Sequence, residues 1–106
     1  MAEDERALET LRELSAVLDR LVRRLTRRAP GTPREMQMDA ARAITLLNDV
    51  RVPNREYLAS NLAAVIRELG QRRPDLHRYI VLLETSATQV EAALQRAPEP
   101  EEEPGG

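Results

Sequence analysis

Residues 29–35 read APGTPRE, a stop followed at once by a start. Pro30 cannot continue a helix, and Gly31 is free to take the left-handed turn that closes one. Thr32 is then placed as an N-cap, with Pro33 at the first helical position and Glu35 able to reach back and complete a capping box. One helix ends and another begins within a few residues, so the two are expected to pack side by side.

Upstream of this junction the apolar residues Ala7, Leu11, Leu14, Leu18, Leu21 and Leu25 alternate steps of four and three, which keeps them on one helical stripe. Downstream, Met36, Ala40, Ala43, Leu47 and Val50 repeat the spacing, and Val52-Pro53 ends it because a residue before proline avoids helical geometry. Asn54 is a candidate cap for a third helix with the stripe Leu58, Leu62, Val65 and Leu69, stopped by Gly70. Pro74-Asp75 opens a fourth, with Leu76, Ile80, Leu83, Ala87, Val90 and Leu94 in line before Ala97-Pro98.

Four stripes with one spacing and short connections predict an all-α fold, an antiparallel four-helix bundle with heptad-spaced seams. The helices are expected over about 3–28, 33–50, 55–69 and 75–96, in a single domain of residues 1–96. Residues 97–106 hold three prolines, four glutamates and two glycines, a composition expected to give a disordered acidic tail. The first helix is longer than its neighbours and should overhang them by a turn or more. Beyond the stripes, Tyr79 and Leu82 widen the apolar arc of the fourth helix, Val81 points nearly opposite, and Leu46 widens the second. These four residues form the expected interface with a second copy, as a homodimer or larger assembly.

Composition removes many functions. The 106 residues contain no cysteine and one histidine, His77, so thiolate sites, disulfides and multi-histidine metal centres are excluded, and a serine triad has His77 alone available as its base. All sixteen basic residues other than His77 are arginine, which leaves no lysine for Schiff-base chemistry. The four glycines form no phosphate-binding loop. Neither metal nor cofactor is expected. No apolar run approaches the roughly 18 residues of a spanning helix, and the acidic opening Met1-Ala2-Glu3-Asp4-Glu5 is unlike a secretory signal. A cytoplasmic protein without a membrane partner is the expectation.

The net charge of −2 is unevenly spread. With the four tail glutamates set aside, residues 1–96 hold sixteen arginines against fourteen acids. Arg20, Arg23, Arg24, Arg27, Arg28 and Arg34 all fall between Asp19 and Glu35 with no acid among them. At 100° per residue the first five share one face of the first helix. Such a face is a candidate anion site, for an acidic protein partner or for nucleic-acid phosphates. The near-absence of aromatics, two tyrosines only, and a sequence pI of about 5.5 disfavour nucleic acid, which needs stacking platforms and a basic domain.

One short motif points to an enzyme. In RRPDLH, residues 72–77, Arg72 stands five residues before His77, and the spacing resembles the Arg-x4-6-His motif of HEPN-type ribonucleases. Those are small helical bundles that dimerise and cleave RNA with the arginine and histidine of both protomers. The resemblance implies Arg72 and His77 as catalytic residues, with Arg73 in the polar position after the arginine. Pro74 inside the spacer departs from the family pattern by starting a helix between the two. The residues taken together favour a non-catalytic, self-associating interaction module with an arginine-rich face.

Overall fold

A computed structural model describes residues 2–96 and, among them, four helices and no strand: α1 (Ala2–Leu25), α2 (Pro33–Leu47), α3 (Arg55–Leu69) and α4 (His77–Arg96). The acidic segment 97–106 lies outside the described residues. Each helix packs against its neighbours in chain order, α1 and α4 close the ring, and the backbones of the diagonal pairs stay apart. This is the arrangement of a helical bundle, with its sparsest seam between α3 and α4. None of the described helices is long and apolar enough to cross a membrane.

The core is aliphatic throughout. Leu14, Leu18 and Leu21 of α1, Leu47 of α2, Leu62 and Val65 of α3, and Leu83 and Val90 of α4 are its fully enclosed side chains. Val17 and Val22 are buried beside the α1 stripe, because α1 faces both α2 and α4 and needs a wider apolar arc than one seam would. Ala40 and Ala43 carry no bulk beyond a methyl group and are wholly buried, which lets α2 approach its neighbours closely. Ala7, near the start of the long α1, is exposed.

The junction between α1 and α2 is built as the sequence predicts at one end and differently at the other. The Thr32 hydroxyl accepts from the Glu35 N–H at 3.1 Å, and Glu35 Oε1 accepts from the Thr32 N–H at 2.8 Å, so the capping box is closed. Helix α1, however, stops at Leu25, short of residue 28, and the left-handed residue is Arg27 (φ 63°), not Gly31. The Arg28 N–H reaches the Arg23 carbonyl at 2.7 Å and the Arg27 N–H the Arg24 carbonyl at 3.2 Å, the two bonds of a Schellman stop. Gly31 serves by being small: a Cβ there would lie 2.7 Å from Cδ of Arg24.

Other ends also shift. Helix α2 tightens after Leu47, where the N–H groups of Asn48, Asp49 and Val50 each bond to the carbonyl three residues back, so its last turn is of 3₁₀ type. Val50 stays buried all the same. Asn54 precedes α3 as expected, yet it is left-handed (φ 58°) and its side chain makes no capping bond. Asparagine is used here for its tolerance of that backbone region. Helix α4 begins at His77 instead of residue 75, with Leu76 supplying the carbonyl that the Tyr79 and Ile80 N–H groups meet at 3.0 Å. The Asp75 N–H is held by Glu68 Oε1 at 2.9 Å, tying this connection to the last turn of α3.

A cationic cleft at one end of the bundle

The arginines that follow Asp19 do not act as one stripe. Asp39 of α2 is 4% exposed, and both of its oxygens are used. Oδ1 receives Nε and Nη2 of Arg20 at 3.0 Å, and Oδ2 receives Nη1 of Arg24 at 2.9 Å. Arg24 also lies 3.9 Å from Glu35, and Arg23 bonds Asp19 at 3.0 Å. Burying a carboxylate is costly unless it is paired and hydrogen-bonded, so Arg20 and Arg24 are structural partners that fix α1 against α2. Among the described residues, Arg27, Arg28 and Arg34 have no carboxylate within ion-pair distance. The left-handed turn at Arg27 also carries the last two arginines of the expected helix face off the helix.

Arg27 and Arg28 border a cleft of about 680 Å³ that the sequence did not reveal. Leu25, Met36, Leu69 and Leu76 give it apolar walls from all four helical regions, and Pro30, Pro33 and Pro74 add their rings. Arg24, Arg27 and Arg28 line it, and no acid does. Gln37 ties α2 to α3, its Nε2 donating to the Ile66 carbonyl at 2.9 Å. Because Pro74 and Leu76 belong to the cleft wall, the α3–α4 connection brings Arg72 and Arg73 to the same end of the bundle. Both are exposed and neither has an acid partner among the described residues. Four arginines from two connections, Arg27 and Arg28 with Arg72 and Arg73, therefore gather at one end where the sequence shows two separate groups. A one-signed cluster beside a low-dielectric wall concentrates potential and attracts anions.

Glu35 shares this end but is committed to the capping box. The Thr32 backbone N–H, then the Thr32 hydroxyl, then the charge of Arg24 hold its carboxyl below the usual value of 4.5. It stays ionised with its charge set beside Arg24, while Arg27 and Arg28 have no carboxylate within ion-pair distance among the described residues.

The remaining expected site residues fall as follows. Arg72 lies in the connection and His77 is the first residue of α4, both exposed and with no hydrogen bond between them. Leu46 is 5% exposed and belongs to the core of its own chain, which removes it from any surface offered to a second copy. The extra width of the α2 arc is used by its neighbouring helices. Tyr79 and Leu82 are half-buried, and Val81 is 54% exposed. A second, smaller groove between α1 and α4 contains Arg23 and Arg28 together with Asp19, Glu84 and Glu91. Among the described residues no three acidic, histidine or cysteine side chains come together as a metal site.

Asp39 and the cleft residues Met36, Leu69 and Leu76 are what the sequence reading missed. The signal for Asp39 was present: with Ala43, Leu46 and Val50 it forms a second four-three row on α2, beside the one that was followed. No known protein family, curated protein or solved structure matches this chain.

Proposed function

We propose that this chain is a non-catalytic interaction module that holds an acidic polypeptide at the cationic end of its bundle. The observation that carries the reading is the cleft itself, apolar inside, lined by Arg24, Arg27 and Arg28, and free of acids. An apolar floor with guanidinium groups at its edge suits a chain that presents carboxylates beside small apolar side chains. It suits a nucleic-acid backbone poorly, because phosphates gain nothing from leucine and methionine, and the two tyrosines leave little for base stacking.

We further infer an antiparallel bundle with heptad seams as the scaffold. Glu13 meets Arg42 while Arg24 meets Glu35, so positions on α2 fall as those on α1 rise. The fully buried Leu14, Leu18 and Leu21 keep the four-three step.

The test is a binding titration against poly-glutamate and against duplex DNA and single-stranded RNA, over a range of salt. The wild-type chain should bind poly-glutamate. Replacing Arg27, Arg28, Arg72 and Arg73 by glutamine should weaken it by about tenfold, since exposed charge pairs contribute about 0.3–0.5 kcal/mol each. Binding of DNA or RNA with none of poly-glutamate would replace this reading by the nucleic-acid one. Equal affinity in the variant would remove the cleft from the function.

A further inference from the structure

We infer that the acidic polypeptide is the 97–106 segment of a second copy of this chain, so that copies join head to tail. This rests on the proposed function and names its partner.

Charge and composition match on both sides. Residues 97–106 read APEPEEEPGG, with Glu99, Glu101, Glu102 and Glu103 and no arginine. The cleft end offers Arg27, Arg28, Arg34, Arg72 and Arg73 without acid partners among the described residues. The segment alternates proline rings with carboxylates, and the cleft sets Leu25, Met36, Leu69 and Leu76 beside guanidinium groups. The prolines lose little freedom on binding.

Geometry favours a second copy over the same one. Leu76 stands at the cleft, and α4 then runs 20 residues away from it, about 30 Å at 1.5 Å per residue. Glu103 is seven residues past Arg96, which spans about 24 Å at full extension. On the α1 side of α4 a return path in the same molecule crosses a groove that sets three acids, Asp19, Glu84 and Glu91, against two arginines, Arg23 and Arg28. Donor and acceptor are different parts of the chain, so the contact is heterologous, and it links copies into a ring or an open series according to whether the rotation between them closes. The assembly should grow with concentration and dissolve in salt.

The experiment is sedimentation or light scattering of the full chain across concentrations, at about 20 mM and about 0.5 M salt. At low salt the mass should rise above that of one chain as concentration rises, and at high salt it should fall to one chain. A variant with Glu99, Glu101, Glu102 and Glu103 replaced by glutamine should stay monomeric, as should one with Arg27, Arg28, Arg72 and Arg73 replaced by glutamine. Mixed together, the two variants should form a one-to-one pair and stop, because each retains one complementary end. A full chain that stays monomeric at low salt, or self-association that survives the glutamate substitutions, overturns the inference. Poly-glutamate binding by such a monomer would leave the proposed function standing, and its absence would end both.

Discussion

The two halves of this bundle solve the same packing problem with different precision. In the α1–α2 half the buried Asp39 is answered by Arg20 and Arg24, and at the surface Arg42 holds Glu13 while Thr32 and Glu35 cap each other. In the α3–α4 half Asn61 is 8% exposed with its Nδ2 unpartnered, and α3 starts without a capping bond. Only Leu83, Ser86 and Val90 of the 20-residue α4 are buried. An unanswered buried amide costs free energy that a matched pair does not. The α1–α2 pair is thus the frame, and the α3–α4 seam is where the bundle is most easily changed.

Substitutions of the buried polar residues should therefore have opposite signs in the two halves. Asp39→Ala leaves Arg24, whose side chain is 20% exposed, without its main partner, and should destabilise by about 2–4 kcal/mol. Asn61→Leu removes an unpartnered donor and should stabilise by about 1 kcal/mol. Urea denaturation of both variants decides the matter, and a loss of stability in both would erase the contrast. The caps extend the comparison at smaller size. Thr32→Ala should cost about 1 kcal/mol, while Asn54→Gly should be close to neutral because the lost side chain caps nothing and glycine accepts a left-handed backbone freely. Thermal midpoints that fell equally would show that Asn54 holds its helix by some other means.

The smallest effect concerns acid. Glu35 is depressed in the folded chain chiefly by the Thr32 N–H, so its contribution is present above the ordinary value near 4.5 and fades as pH drops through the lower folded value. The urea midpoint of the wild-type chain should therefore lose more between about pH 5 and about pH 3 than that of Glu35→Gln, which keeps the bond without the titration. Identical pH profiles would discount the box as a source of acid sensitivity.

Features confined to a few neighbouring residues were legible in the sequence. The Thr32–Glu35 box needs four consecutive residues, and the rows Leu58, Leu62, Val65, Leu69 and Leu83, Val90 need only periodicity. What failed was decided across the chain. Nothing local marks Arg27 as left-handed, since glycine stands four residues later, and Gly31 is required by the stem of Arg24. Leu46 reads as surplus on an isolated helix because its burial depends on neighbouring helices. The cleft was invisible for the same reason: Met36, Leu69 and Leu76 become walls only when two connections meet at one end. The face of arginines was half right, a true concentration of charge whose first members were already engaged by Asp39.

An all-aliphatic core also makes the molecule optically quiet. With no tryptophan or phenylalanine, its near-ultraviolet signal comes from two phenols. Tyr57 is 54% exposed at the start of α3, while Tyr79 is half-buried one turn into α4, three residues from the cleft wall at Leu76 and with Arg78 5.9 Å from its ring centre. Tyrosine emission, with Tyr57→Leu to silence the other ring, thus reports on the cationic end without any added dye.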